Sequence, residues 1–431
     1  MIQATGRDSS SALPYGVQGA ADANFTCAVQ TFARFFPGRR FGGGALAVYL
    51  NGEPVVDVWT GWSDRRGETR WSENTGAMVF SATKGMASTV IHRLVDRGLI
   101  AYDEPVARYW PEFGANGKSA ITIREVMRHR AGLSHLDGIG KGDLLDHHLM
   151  EARLAAAPIG RHLGKPAYHA FTYGWLMSGL ARAVTGKGMR ELIRLEIAEP
   201  LDTDGLHLGR PPVGAPTRAA QIIAPQSALP NPVFDFLAPK MAALKLSGGF
   251  SSIYFPGAKA ALQGEIPLLD AEIASANGVA TARGLARVYG AIANGGQIDG
   301  TQFLSRELVG GLTGRRSLRP DRNILVPLAF HLGYHAVPFP GVMPGFGHVG
   351  MGGSLGWADP ATGMSFGFVH NRLLTPFVVG DQAGFVALNA LIRRGARLAR
   401  ARGFDTVATL GAPFRSPERP QWAGATERLR L

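Results

Sequence analysis

Phe80-Ser81-Ala82-Thr83-Lys84-Gly85-Met86 places a serine three residues before a lysine at the predicted start of a helix. Apolar residues recur at helical spacing after Met86, and Gly98 is suited to end the helix. Because residues i and i+3 share one helix face, the Lys84 amine can reach the Ser81 hydroxyl. A serine hydroxyl needs such activation before it attacks a carbonyl. The stretch therefore predicts a nucleophile beside its base.

The alternative interpretation makes Ser81 a helix cap and Lys84 a solvated side chain. An isolated Ser-x-x-Lys is usually explained in this way. The chain contains eight lysines, and Lys84 is the only one with a serine three positions before it. The pair therefore needs support from other parts of the sequence.

Composition narrows the class of protein. The chain has 431 residues, a net charge of +12 and one cysteine, Cys27, so it has neither an internal disulfide nor a cysteine-based metal site. We expect Cys27 to be a small buried hydrophobic residue. The chain shows no signal peptide and no run of eighteen apolar residues, so we expect a cytoplasmic protein with no membrane partner.

The positive charge gives little indication of a nucleic-acid partner. The 37 arginines are scattered, and the densest group lies between Arg393 and Arg402, interleaved with apolar residues. That pattern is typical of a solvated helix face. We therefore expect no nucleic acid, and a monomer or a homodimer that binds a small molecule.

The periodicity changes along the chain. Residues 1–20 are predicted to form a loose arm, and a helix follows from about Ala21 to Phe36. Two strand-like runs, 45–50 and 54–59, flank Asn51-Gly52, a pair that favours a tight hairpin. Strand-like runs return at 328–337, 347–349, 355–358 and 364–369, before a helix at about 380–402.

Between these ends the sequence is mostly helical, without clear strand alternation. We therefore predict one α+β catalytic domain, in which residues 21–100 and 325–405 form an antiparallel sheet flanked by helices. Residues 101–324 are predicted to form an all-helical lobe. The cleft between the two lobes is the expected position of the site.

Several motifs, taken together, resemble the superfamily of serine β-lactamases and penicillin-binding proteins, and within it the family VIII carboxylesterases. Ser81-Ala82-Thr83-Lys84 resembles the first motif, Tyr168-His169-Ala170 the tyrosine motif, and His348-Val349-Gly350 the motif of the strand that closes the site. Two further stretches agree, 128–133 and 277–296. The resemblance implies the β-lactamase/transpeptidase fold and no cofactor.

The resemblance also implies the roles of the site residues. Ser81 would be the nucleophile, with Lys84 and Tyr168 as the general base, and either member of that pair could take the proton. Tyr168 is preferred to Tyr173, which fits an aromatic residue of the core. The resemblance places the backbone amides of Ser81 and Met351, the residue after Gly350, at the oxyanion.

His348 has two open interpretations: it orients Tyr168 or the substrate, or it is a structural histidine.

Two departures from the penicillin-processing relatives favour esters. Ala170 replaces the asparagine that binds a substrate amide, and His348 replaces the lysine that holds a substrate carboxylate. A histidine is mostly neutral at pH 7 and binds an anion more weakly. We therefore expect a serine carboxylesterase that forms an acyl-enzyme at Ser81. Acyl transfer, β-lactam or D-amino-acid amide hydrolysis, and a non-catalytic binding protein are the alternatives.

Three other patterns are judged coincidental. Gly352-Gly353-Ser354-Leu355-Gly356 matches a nucleophile elbow, but a strand-like run rather than a helix follows it. Residues 345–350 match a dinucleotide fingerprint but open no helix. His129, His135, His147 and His148 form no recognisable metal-binding spacing, so we expect core or surface histidines and no metal.

Overall fold

The computed structural model describes residues 12–135, 138–140, 142–223, 267–314, 316–325, 327–339, 341–373, 378–402, 409–412 and 414. The strands are β1 Gln18–Asp22, β2 Gly43–Leu50, β3 Glu53–Gly61, β4 Thr75–Met78, β5 Leu206–Leu208, β6 Arg218–Ala219, β7 Gly278–Ala280, β8 Gln297–Ile298, β9 Thr301–Gln302, β10 Phe346–Val349, β11 Leu355–Asp359, β12 Met364–His370 and β13 Thr409–Gly411. The helices are α1 Thr26–Arg34, α2 Thr83–Asp96, α3 Ile123–Met127, α4 His147–Ala156, α5 Thr172–Thr185, α6 Met189–Ile193, α7 Ala282–Ala293, α8 Arg306–Leu312 and α9 Val378–Arg402.

A seven-stranded antiparallel sheet joins the two ends of the chain. Its strand order is β10-β11-β12-β2-β3-β1-β13, so β2 from the N-terminal part pairs with β12 from the C-terminal part. The predicted hairpin between β2 and β3 is confirmed, since Asn51 and Gly52 have φ angles of 54° and 88°. The α+β class and the pairing of the two ends are therefore confirmed.

Helices cover both faces of this sheet, and β2 shows why its sequence is apolar at every position. Ala45, Ala47 and Tyr49 belong to the core on one face, with α2 and α7. The alternate residues belong to the core on the other face, with α1 and α9; they are Leu46, Val48 and Leu50. Because successive side chains of a strand point to opposite faces, burial on both faces removes the polar alternation.

The predicted helical lobe contains strands, which is a correction. Short strands of two or three residues, β5, β6 and β7, assemble with β4 into a second sheet in the order β5-β7-β4-β6. Runs of two or three residues are too short to show a period in sequence, so the pattern missed them. This small sheet matters because β4 leads directly to Ser81.

Two predicted segments differ from the structure. The run 328–337 forms only isolated bridges, because Ala329 and Leu332 have φ angles of 46° and 47°, outside the extended region. The loose arm ends sooner than expected, since β1 starts at Gln18 and pairs with β3.

Cys27 is exposed, which corrects the expectation of a buried thiol. It lies on the solvent side of α1, whose buried residues are Ala28, Val29 and Phe32. The position of a small residue on an amphipathic helix, rather than its residue type, decides its burial here. None of the helices in the described part of the chain combines the length and the apolar character needed to cross a membrane.

The chain turns sharply between β4 and α2. Phe80 has a φ angle of 47°, and Ser81 follows it in a 3-10 turn over Phe80–Ala82 that precedes α2. The Val79 N–H donates to the Gly278 carbonyl at 2.8 Å, and the Gly278 N–H donates to Thr83 Oγ1 at 2.9 Å. The end of β4 and the start of α2 are therefore both held by β7.

Strand β10 closes the other side of the turn. A Cβ atom built on Gly350 would lie 2.0 Å from the Val79 carbonyl oxygen, so the two backbones are in direct contact. Only a residue without a side chain permits this approach. The contact holds the loop after β10 against Val79, which lies two residues before Ser81 in the sequence.

Gly350→Ala should therefore lower the free energy of unfolding by about 1–3 kcal/mol, because the added methyl group forces backbone apart from backbone. Gly310→Ala in α8 is the matched control. Nothing lies within 4 Å of its Cβ position, so that variant should be unchanged or up to about 1 kcal/mol more stable. Urea denaturation of both variants checks this. Equal stability of the two would disprove the close contact.

Candidate active site

Ser81 is the point where the predicted residues meet. Its Oγ atom lies 3.1 Å from Lys84 Nζ and 2.9 Å from the Tyr168 hydroxyl. Lys84 comes from the first turn of α2, and Tyr168 comes from the segment that leads into α5, so two distant parts of the chain converge on one hydroxyl. Ser81 itself is only partly buried, which leaves the oxygen accessible to a small molecule.

Lys84 is fully buried, and burial holds the pKa of its amine well below the ordinary value. Its Nζ atom also donates to the Ser275 carbonyl at 2.9 Å. Among the described residues no carboxylate forms an ion pair with it. An unpaired charge is costly in such a place, so the neutral amine is favoured. A neutral amine next to a serine hydroxyl can accept its proton.

Tyr168 supplies a hydroxyl donor. Burial raises the pKa of its phenol above the ordinary value, so the group is protonated at neutral pH and donates to Ser81 Oγ. The Tyr168 ring faces Lys84 Nζ, which lies 5.0 Å from the ring centroid. The same ring face would stabilise an ammonium formed transiently on Lys84.

Tyr173 is a core residue, as the sequence predicted. It is fully buried, and its hydroxyl lies 2.6 Å from Ser88 Oγ. Since Ser88 donates to the Lys84 carbonyl at 2.7 Å, the Tyr173 hydroxyl is the donor to Ser88. This tyrosine therefore ties α5 to α2 one helical turn beyond Lys84.

A group of neutral histidines lies behind the site. Each is buried, and burial is the largest cause of its lowered pKa; the group comprises His129, His169, His335 and His348. The His129 ring lies 5.0 Å from that of Tyr168, and its Nδ1 accepts from the His169 N–H at 3.0 Å. The group therefore surrounds Lys84 with imidazoles that do not carry charge at pH 7.

His348 is a buried histidine of this group. It is 1% exposed, and its ring lies 5.0 Å from His335 and 5.9 Å from Phe330. Its Nδ1 lies 3.2 Å from the Val349 carbonyl oxygen. Phe330 stacks on Tyr168 with centroids 5.7 Å apart, so an aromatic side chain contacts both rings. The histidine and the tyrosine are therefore linked through packing.

The loop after β10 presents Met351 to the site. The Gly350 N–H donates to the Ser354 carbonyl at 2.7 Å, which closes a tight turn, and Gly350 contacts Val79 as described above. Met351 is half-buried, and no described residue accepts a hydrogen bond from its N–H. Among the described residues, that N–H therefore has no backbone or side-chain acceptor.

The sequence did not identify several residues that shape the site. Ser275 binds Lys84 through its backbone carbonyl, Asn323 donates to the Tyr168 carbonyl at 2.9 Å, and Phe330 stacks on Tyr168. A backbone carbonyl leaves no signature in residue type. Ser275 does stand two residues before the family-like stretch that begins at Asn277, which is the one available signal.

The rejected patterns are explained by the structure. Ser354 is 1% exposed and accepts from the His370 N–H at 3.2 Å, and strand β11 follows it, so it does not form a nucleophile elbow. The glycine pattern 345–350 runs into β10 and opens no helix. Within the described residues, no group of three or more histidine, cysteine, aspartate or glutamate side chains is arranged so that it could hold a metal ion.

The buried lysine makes the stability of the protein depend on pH. Lys84 binds its proton more weakly when folded than when unfolded, so the unfolded chain holds more protons between the lowered pKa and the unfolded value of about 10.4. The free energy of unfolding contributed by Lys84 therefore rises with pH across that window. Lys84→Met removes this contribution.

We expect the melting temperature of Lys84→Met, relative to wild type, to be highest near pH 7 and to decrease toward pH 10. Lys165→Met is the control, because its side chain is exposed. Calorimetry at five pH values between 7 and 10 checks the trend. The same pH dependence in both variants would show that Lys84 keeps an ordinary pKa.

Comparisons with known proteins identify the family of the chain. The family model described as Beta-lactamase matches residues 22–390. The chain is 67% identical over 402 residues to the esterase/beta-lactamase LipL of Mycobacterium tuberculosis strain H37Rv, covering 93% of this chain and 94% of that protein.

Two solved structures share the architecture. A family VIII carboxylesterase superposes with a TM-score of 0.74 at 29% identity, over 88% of this chain and 99% of the other. A penicillin-binding-protein homologue from Caulobacter crescentus superposes with a TM-score of 0.70 at 30% identity, over 86% and 99%. The fold, the matched family model and these relatives lead to one conclusion: this chain belongs to the beta-lactamase family and is a hydrolase of its beta-lactamase/esterase group.

Proposed function

We propose that this protein is a carboxylesterase that forms an acyl-enzyme on Ser81, with Lys84 as the general base. The supporting observation is that Ser81 Oγ lies within hydrogen-bond distance of both a buried amine and a protonated phenol. An amine whose pKa burial holds well below its ordinary value can take the serine proton, whereas the raised pKa of Tyr168 makes the phenol a donor.

The proposed acylation involves Ser81, Lys84, Tyr168 and two backbone amides. Ser81 Oγ bonds to the ester carbonyl carbon while its proton passes to Lys84. The oxyanion accepts from the Ser81 and Met351 amides, a kind of donor worth about 3–4 kcal/mol in the transition state. The carbon–oxygen bond to the alcohol then breaks, and Tyr168 gives its proton to the leaving oxygen. The Lys84 ammonium returns its proton to Tyr168, which restores both groups.

Deacylation repeats the same transfers with water. Lys84 takes a proton from the attacking water, the bond between Ser81 and the acyl carbon breaks, and Ser81 regains a proton through the Lys84 and Tyr168 pair. The products are a carboxylic acid and the original enzyme. The partly exposed Ser81 allows water to reach the intermediate.

Esters are favoured over amides by two buried positions. Ala170 offers no side-chain group to a substrate amide, and it is 7% exposed. His348, where relatives have a lysine, is uncharged at neutral pH because burial lowers its pKa. A substrate carboxylate would therefore find no cation at that position, which favours uncharged esters.

Slow β-lactam hydrolysis is a second candidate activity. The observation that favours it is the name of the 67% identical relative, which is described as an esterase and β-lactamase. A β-lactam carbonyl could be attacked by the same Ser81. Because Ala170 and His348 supply no partner for its amide and carboxylate, we expect a kcat/KM below that for simple esters.

Ser81→Ala should lower kcat for p-nitrophenyl butyrate by about ten-thousandfold, because the bond-forming oxygen is lost. It should also abolish the mass increase caused by a fluorophosphonate. Ser354→Ala is the control, since it removes a second serine hydroxyl, one that is buried, and it should be labelled like wild type. Intact-protein mass spectrometry and p-nitrophenol release check both variants. Labelling of Ser81→Ala would overturn the assignment.

Tyr168→Phe should lower kcat by about 10²- to 10⁴-fold, because the leaving oxygen loses its proton donor. Tyr173→Phe removes a comparably buried hydroxyl that only bridges α5 and α2. It should keep kcat within a few-fold and lower the free energy of unfolding by about 1 kcal/mol. Steady-state kinetics and urea denaturation separate the two effects. The reverse pattern would make Tyr173 the catalytic tyrosine.

A further inference from the structure

Two surface segments converge beside Tyr168. The Arg322 N–H donates to the Pro166 carbonyl at 2.9 Å, and Asn323 donates to the Tyr168 carbonyl at 2.9 Å. Pro166 and Arg319 also line one small pocket with Arg130. Segment 161–165 and segment 317–325 therefore form one continuous face, although more than 150 residues separate them in sequence.

This face exposes three leucines. Leu163, Leu318 and Leu325 are 41%, 63% and 77% exposed. Leu325 has a φ angle of 66°, a conformation that a bulky residue rarely adopts, so its outward position is held at a cost in backbone energy. Several large apolar side chains on one face indicate an interaction surface, whereas isolated ones are ordinary. We refer to these three residues as the leucine rim.

The same face carries a set of exposed cations, which are Arg161, Lys165, Arg319 and Arg322. Within the described residues none of these four pairs with a carboxylate. Asp321 is the one carboxylate of the two segments; it is 2% exposed, and its Oδ1 accepts from the Asn323 and Ile324 N–H groups. The outer surface of the face is therefore positive without local compensation.

These positive charges affect the pKa of a neighbouring histidine, His162. The pKa of His162 is lowered by burial first and then by the positive charges of Arg161, His135, Lys165 and Arg322. Cations from both segments therefore act on one imidazole, in agreement with the hydrogen bond from the Arg322 N–H to the Pro166 carbonyl.

We propose that the leucine rim and its four cations dock this protein on an anionic lipid surface. Exposed leucines insert among the acyl chains near the headgroups, and arginine and lysine side chains bind the anionic headgroups at the same depth. A nucleic acid would satisfy the cations and leave the leucines in water, so a lipid surface matches both components. The sequence predicted no membrane partner because that expectation rests on continuous apolar runs, and this face is assembled from separate segments.

The position of the face gives the docking a consequence for substrate choice. Tyr168 follows Lys165 by three residues and donates to Ser81, so the docked face lies close to Ser81 along the chain. Esters held in the lipid surface, with apolar acyl chains, are therefore the substrate class that we assign. This last step rests on the proposed ester hydrolysis, whereas the docking itself does not.

The test measures binding of the full chain to vesicles made from dialkyl ether lipids, which contain no ester to hydrolyse. Sedimentation should show strong binding to vesicles with 30% phosphatidylglycerol-type ether lipid and weak binding to purely zwitterionic vesicles. Arg161→Glu with Lys165→Glu should weaken the anionic partition coefficient by about thirtyfold or more, because each cation near the surface contributes about a fivefold factor. Raising the salt concentration should weaken wild-type binding in the same direction.

The matched control is Arg394→Glu with Arg397→Glu on the exposed face of α9. This variant changes the net charge by the same amount, at positions far from the leucine rim in sequence. It should bind within about twofold of wild type. Leu318→Ser with Leu325→Asn should weaken binding about tenfold, since asparagine tolerates the positive φ angle. Thermal unfolding of each variant shows whether it is folded.

Three results would overturn the proposal: wild type that binds no vesicles, equal loss in the α9 control, or loss in the charge variant with none in the leucine variant. The last result would make the face a general polyanion site. Hydrolysis of a long-chain p-nitrophenyl ester placed in the same vesicles is a separate readout. If binding occurs as expected and this ester is not cleaved, the docking stands and the proposed esterase activity fails.

Discussion

The burial of the Lys84 amine is the constraint on which the rest of the site depends. An ammonium without a carboxylate partner is unfavourable in this interior, so the fold itself favours the neutral base. Among the described residues, the groups around the Lys84 amine add no negative charge that would favour the ammonium. The amine donates to the Ser275 carbonyl, and the imidazoles packed near it are neutral at pH 7 for the same reason of burial. A carboxylate in this place would have held the lysine protonated and removed its ability to accept a proton.

Backbone contacts around Ser81 hold its hydroxyl in position beside the Lys84 amine. Strand β7 holds the end of β4 and the start of α2, and Gly350 brings β10 against Val79. Ser81 lies between these elements, with the free Met351 N–H on the loop after β10. These elements are anchored in the core, so the Ser81 hydroxyl and the Lys84 amine are held in place before substrate arrives.

The surface next to Tyr168 has a different character from this interior. Inside, burial lowers the pKa of the Lys84 amine; outside, four exposed cations have no carboxylate partner among the described residues and lie on the same face as three exposed leucines. Uncharged substrates suit the first environment, and an anionic, partly apolar surface suits the second. The two environments are compatible for an ester carried by a lipid surface, where the headgroups meet the cations and the scissile bond reaches Ser81.

The sequence by itself determined the fold class, the hairpin of β2 and β3, and the proximity of Ser81 to Lys84 at the start of α2, because these depend on local periodicity and on motif spacing. The choice of Tyr168 over Tyr173 came from the family resemblance. The sequence pattern failed at the two- and three-residue strands, at run 328–337 and at Cys27. Short strands carry no period, left-handed residues interrupt an apparent strand, and helix orientation decides the exposure of a small residue. Only the tertiary structure decided that the Lys84 pKa is lowered and that separate segments share the leucine rim, because burial and proximity are properties of packing.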